Sequence, residues 1–226
     1  MTEDPRDLFA KAKGVAATAR TTWIHQMVKM GRQLERPEEL AERWGLDALR
    51  GRLIELSGRG ATATLTVAME LVVEAQQASE PVAWVTLGNA TFYPPDAADS
   101  GVDLAALVVV RVHDVTAAAR AAERLLRSGG FGLVVIDLGG SGAPVVPIAH
   151  QGRLATLAQT HDTAIVCITE KPGEAPSLGS LVSLRAEALR LCKAEHDYEV
   201  TLRVLKDKRR GPGFTRTIKL RGPAGL

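Results

Sequence analysis

From residue 52 to residue 168 the chain alternates short, near-continuous apolar runs with longer stretches of three- and four-residue periodicity. The runs at 52–57, 82–87, 107–112, 132–137 (Gly-Leu-Val-Val-Ile-Asp) and 163–168 predict strands. The periodic stretches predict helices at 62–78, 115–128 and about 148–160, with a loop over 88–103. Strands that are apolar on both faces and separated by helices form a mainly parallel sheet covered on both sides. After Gly179 the helical period disappears, and 181–191, 198–206 and 214–220 read as three strands without helices between them. The turn Arg210-Gly211-Pro212-Gly213 joins the last two, so antiparallel strands are expected to extend the parallel core.

The N-terminal stretch follows a different pattern. Asp4 and Pro5 have the form of a helix cap, and Leu8, Ala12, Val15, Ala19, Trp23, Met27 and Met30 recur at helical spacing to about Arg32, with Gly14 as a weak point. A second helix is expected from Pro37 through Leu40 to Trp44, stopped by Gly45. The expected organisation is a helical arm over 1–48 and an α/β core over 49–226.

Composition narrows the function classes. The net charge is +2 across 226 residues, so the whole chain is not a polycation. Cys167 and Cys192 lie in apolar runs and are expected to be buried, reduced thiols. No apolar run approaches the roughly 18 residues of a membrane span, and the acidic start Met-Thr-Glu-Asp-Pro is unlike a signal peptide. A cytoplasmic protein is therefore expected. His25, His113, His150, His161 and His196 show no metal-ligand spacing, and no nucleophile–base pattern is evident.

The segment 54–66 has the frame of a phosphate-binding loop: apolar strand, Gly58, short polar loop, apolar helix. In the pattern G-x-x-x-x-G-K-[ST], the lysine reaches the phosphates and the hydroxyl holds the magnesium ion. Counted from Gly58, the second glycine is Ala63, the lysine is Thr64 and the hydroxyl residue is Leu65. Gly58, Gly60, Arg59 and the amides of 59–64 leave a bare anion nest as an alternative to a plain loop. A second candidate is the basic cluster Arg203, Lys206, Lys208, Arg209, Arg210, Arg216, Lys219 and Arg221, which suits DNA or an acidic protein surface and reads otherwise as a solvated hairpin.

In order along the chain, Leu-Ile-Glu-Leu-Ser-Gly (53–58), Glu-Ala-Gln (74–76), Ala-Trp-Val (83–85), Gly-Val-Asp-Leu-Ala-Ala-Leu (101–107), Leu-Leu-Arg-Ser-Gly (125–129), Val-Val-Ile-Asp (134–137), Ile-Val-Cys-Ile-Thr-Glu (165–170) and Leu-Arg-Val-Leu-Lys-Asp-Lys (202–208) resemble the core of the RecA recombinase family. The resemblance implies a RecA-like α/β fold. It places the family's catalytic glutamate at Gly88, its nucleotide-sensing glutamine at Glu170 and its Walker B aspartate at Asp137. With Ala63, Thr64 and Leu65 in the loop, ATP hydrolysis is expected to be absent and no cofactor is expected. The family's two DNA-wrapping loops correspond to about 139–147 and 171–180. Here these hold Pro144, Pro147, Pro172 and Pro176 but no cationic cluster beyond Lys171, so DNA binding there is expected to be weak.

Among RecA-like families without a working ATP site, the chain is most similar to the ImuA family of SOS mutagenesis factors. That likeness implies RecA, an ImuB-type polymerase relative and its associated error-prone polymerase as partners. The resemblance to RecA implies an arm that docks on a RecA-like neighbour through Trp23, Ile24, Met27 and Met30; packing of the arm against its own core is the alternative. The alternative is a SulA-like inhibitor of cell division acting on FtsZ.

Overall fold

The computed structural model describes residues 44–60, 62–88, 92–142, 144–194 and 197–221. The expected arm, with Trp23, Ile24, Met27 and Met30, lies outside the described residues.

Eight strands form one sheet in the order β3-β2-β4-β5-β1-β6-β7-β8. The strands are β1 (Arg52–Gly58), β2 (Val82–Leu87), β3 (Leu107–Val112), β4 (Leu133–Asp137), β5 (Ala164–Glu170), β6 (Leu184–Ala194), β7 (Asp197–Asp207) and β8 (Thr215–Arg221). The helices are α1 (Leu46–Leu49), α2 (Thr64–Gln77), α3 (Pro94–Asp99), α4 (Val115–Arg127) and α5 (Ile148–His161). The sheet is parallel from β3 across to β6, and β7 and β8 add antiparallel strands.

Alternation along the strands divides the core into two layers. Ile54, Leu56, Trp84, Val135 and Val166 pack under α2, whereas Leu53, Val85, Val134, Ile165 and Cys167 pack under α4 and α5. Each large apolar side chain sealed this way contributes about 1.5–3 kcal/mol. Helix α4 begins at Asp114, whose carboxylate accepts from Ala117 N at 2.7 Å. Helix α5 ends at Asp162 in the left-handed conformation.

Three expectations are corrected. The first of the three late strands, β6, pairs parallel with β1 and antiparallel only with β7. A parallel neighbour needs a long crossover, usually a helix; here the irregular segment 171–183 makes it, held by buried polar side chains instead of helical packing. The loop expected over 88–103 contains α3, which opens with Pro94 and Pro95 in its first turn. Cys192 is exposed, because β6 continues beyond Gly58, the last residue of β1, while Cys167 is buried. Burial pushes the Cys167 thiol up to about 12, so it stays protonated and unreactive. Around Gly45, the backbone is extended ahead of α1.

Candidate functional site

Parallel strands end their carboxyl termini along one edge of the sheet, and adjacent strand ends bring distant residues together. Strands β2, β4, β5 and β1 are neighbours, so Gly88, Asp137, Glu170 and Gly58 fall along that edge. Gly58 and Glu170 are register partners. The loop 59–63 and the start of α2 complete the group with Ala63, Thr64 and Leu65. The residues predicted for the degenerate nucleotide site therefore lie along one edge of the sheet, and those of the basic patch do not.

The loop does not stand open over this edge. It folds sideways onto β6. Ala63 N donates to Ala188 O at 3.1 Å, and Thr62 forms an isolated bridge with Leu189. Thr62 Oγ1 donates to Ala188 O at 3.3 Å and accepts from Thr64 N at 3.2 Å, while Thr62 N donates to Gly60 O at 2.8 Å. The amides of Thr62, Ala63 and Thr64 are thus engaged within the chain. Ala63 and Thr64 are buried, and Leu65 packs against the core layer under α2. Gly58 is needed for this closure: a Cβ there would meet Thr62 Oγ1 at 2.3 Å and Ala188 O at 2.9 Å. Arg59 and Gly60 remain exposed.

Asp137 is 1% exposed at the end of β4. Its Oδ1 accepts from Gly139 N at 3.0 Å and its Oδ2 from Thr86 Oγ1 at 3.5 Å. The Trp84 indole N–H lies near the carboxyl without reaching hydrogen-bonding geometry. Burial pushes the Asp137 carboxyl above its ordinary value, against the pull of the Gly139 and Thr86 bonds. The folded state therefore holds a proton more readily than the unfolded chain. The Asp137 contribution to stability is fullest below the ordinary value of 3.8 and is lost as pH rises through the raised folded value. Asp137→Asn keeps an acceptor for Gly139 and removes the buried charge. Its Tm at neutral pH is expected to rise by about 2–4 °C, as roughly 1 kcal/mol does at this size. Thermal unfolding across pH checks this, and the gain should shrink toward pH 4.

The counterpart of the second DNA loop, 171–180, is bound to the sheet by a buried polar cluster that sequence reasoning missed. Glu55, in the middle of β1, is fully buried. Its Oε1 accepts from Thr169 Oγ1 at 2.9 Å and pairs with Lys171 Nζ at 2.5 Å. Its Oε2 accepts from Leu178 N at 2.7 Å and lies 3.8 Å from Arg185 Nε. Arg185 in turn donates to Pro172 O at 2.8 Å and to Ala175 O. Lys171, the one cation of this loop, also donates to Pro176 O. A charged residue at the centre of an otherwise apolar strand was the available signal. The counterpart of the first loop, around 139–147, is tied down by Gln151, whose amide donates to Val146 O at 2.7 Å.

The C-terminal basic cluster is divided. Arg203 pairs with Glu187 at 2.7 Å on one face of the sheet, and Arg216 lies 3.5 Å from Glu70 of α2 on the other. Lys208 Nζ donates to Ser180 O at 2.6 Å, and Lys206 Nζ reaches Ser177 Oγ at 3.5 Å. Arg209 and Arg210 are exposed in the turn and Lys219 on β8. Among the described residues no group of three or more His, Cys, Asp or Glu side chains is placed to hold a metal ion. No helix among them is long and apolar enough to cross a membrane.

A mainly parallel sheet with helices on both faces, whose first strand runs through a glycine into a loop and a helix, defines an α/β class of protein. Within that class, the family described as the RecA N-terminal domain matches residues 43–158, just over half of the chain. The chain belongs to this family. It is similar to protein RecA of Nocardioides sp. (38% identical over 101 residues), of Kineococcus radiotolerans (37%) and of Picosynechococcus sp. (34%). Each match covers 45% of this chain and 28% of the relative, so the chain spans under a third of the length of these relatives.

Proposed function

We propose that this protein is a non-catalytic RecA-like accessory factor of SOS-induced translesion synthesis. It acts through contacts with RecA and with an ImuB-type polymerase relative and its error-prone polymerase, in the cytoplasm. It offers a RecA-like shape without ATP turnover, and so modulates a RecA filament that it does not drive. The observation that carries the reading is the closed loop. Three amides of the P-loop frame, those of Thr62, Ala63 and Thr64, are spent on Gly60 O, Ala188 O and Thr62 Oγ1. A lysine and a magnesium-binding hydroxyl are missing from the positions that the frame assigns them. The resemblance to the ImuA family supplies the partners.

Two measurements test this. Immobilised full-length protein should retain RecA and an ImuB-type protein but not FtsZ; retention of FtsZ alone would sink the reading in favour of a division inhibitor. Phosphate release with ATP and single-stranded DNA should stay at background. Robust turnover would refute the non-catalytic assignment.

A further inference from the structure

On the sheet face opposite α2, every exposed charge carried by residues 115–161 is an arginine: Arg120, Arg124 and Arg127 on α4, and Arg153 on α5. The two carboxylates in this stretch, Glu123 and Asp137, are buried. Spacing of four and three residues puts the α4 arginines on one stripe, and a 1.5 Å rise per residue spreads them over about 10 Å. None of the three takes part in a salt bridge among the described residues.

Glu123 cannot neutralise them, because both its oxygens are already committed. Arg153 Nε reaches Oε1 and Oε2 at 3.0 Å each, and His150 Nδ1 reaches Oε1 at 2.5 Å. Burial pushes the Glu123 carboxyl up, but the bonds from His150 and Arg153 outweigh it and hold it below its ordinary value. The flanking carboxylates sit beyond the helix ends, Asp114 as the cap of α4 and Asp162 as the cap of α5. Like charges one helical turn apart repel, at a cost of a few tenths of a kcal/mol per pair. Asp114 offsets part of this at Arg120, and the C-terminal dipole of α4 offsets part of it at Arg124 and Arg127, but no carboxylate pairs directly with any of the three among the described residues.

The chemistry of the face selects the ligand. The exposed large apolar residue of these two helices, Ile148, is confined to the first turn of α5. Protein interfaces are built around apolar and aromatic anchors, which are lacking along the stripe. Guanidinium forks instead match phosphate oxygens. We propose that the outer face of α4 binds the phosphodiester backbone of a nucleic acid without reading its sequence. With one guanidinium per phosphate, the stripe neutralises up to about three phosphates. The surface is separate from the closed loop and from the C-terminal hairpin, and the proposal stands whether or not the RecA-partner reading holds.

The test is fluorescence anisotropy of the full-length protein with a labelled oligodeoxynucleotide, single-stranded and duplex, over a salt series. Exchanging Arg120, Arg124 and Arg127 together for Glu should weaken binding at low salt by at least tenfold. The log–log salt slope for duplex should fall by about 2–3, since each neutralised phosphate contributes roughly 0.9. The triple exchange for Lys should retain most of the slope, and circular dichroism with thermal melting should report an unchanged fold for both. If the Glu variant loses its fold, the triple exchange for Gln takes its place. The proposal is overturned if the wild type binds no oligonucleotide at low salt. It is equally overturned if only the combined variant Lys208→Glu, Arg209→Glu, Arg210→Glu loses binding. Competition by poly-glutamate as effective as by oligonucleotide would also overturn it, and would assign the face to an acidic protein.

Discussion

Glu55→Ala is expected to destabilise the protein by about 3–5 kcal/mol, the range for removing one partner of a buried ion cluster. Glu55 is fully buried and receives Thr169 Oγ1, Lys171 Nζ and Leu178 N. Arg185, 3.8 Å away, has 5% of its side chain exposed. Removing the carboxylate leaves two cations facing a cavity in the sheet and frees the amide of Leu178. The damage should be directional. Segment 171–180 is held to the sheet through this carboxylate and through Arg185, so its amides should lose hydrogen-exchange protection before those of β4 and β5 do. Glu55→Gln keeps an acceptor for Leu178 or Thr169 but not the countercharge, and should fall between alanine and wild type. Thermal melting with native-state hydrogen exchange checks both points. A loss below about 1 kcal/mol would show that Lys171 and Arg185 find other partners.

Arg52→Ala is expected to cost a similar amount at neutral pH, at the opposite edge of the sheet. Arg52 Nη2 lies 2.5 Å from Asp207 Oδ1, with 3% and 7% of the two side chains exposed. Its Nε donates to Ser183 Oγ at 3.1 Å and its Nη2 to Ser183 O at 3.2 Å. The guanidinium thereby joins the start of β1 to the end of β7 across β6, and to the last turn of the crossover. Burial pushes the Asp207 carboxyl up, but Arg52 and the backbone N–H groups of Arg209 and Arg210 outweigh it and hold it below its ordinary value. A depressed carboxyl contributes stability above its unfolded value of 3.8 and loses it as pH falls through the lower folded value. The difference between wild type and Arg52→Ala should therefore be full at pH 7 and narrow below pH 4. Replacing both partners by apolar residues, Arg52→Met with Asp207→Leu, should recover much of the loss, because no uncompensated charge stays buried. A double-mutant cycle in urea measures this directly; additive losses would contradict a coupled pair.

The strands at 82–87 and 107–112 match the structure residue for residue, because both are apolar runs bounded by loop residues. Helix ends at α4 and α5 fall within a residue or so of their expected places for the same local reason. The parallel pairing of β6 was not legible, since a crossover without a helix leaves no periodic signal. Neither was the exposure of Cys192, which depends on where the neighbouring strand stops. The Arg120-Arg124-Arg127 stripe was legible in spacing alone, but its lack of partners was not: Glu123 stands among these arginines in sequence and is spent on α5 in space.

By itself the sequence determined the strand–loop–helix frame after β1, the missing lysine and hydroxyl in that loop, and the RecA-like order of elements. These are properties of residue identity and local spacing. Only the tertiary structure decided what the loop and the crossover do. Ala63 and Thr62 bond to Ala188, and Glu55 bonds to Leu178, across separations of more than a hundred residues. Contacts of that range are set by which strands become neighbours, and no window along the chain contains both partners.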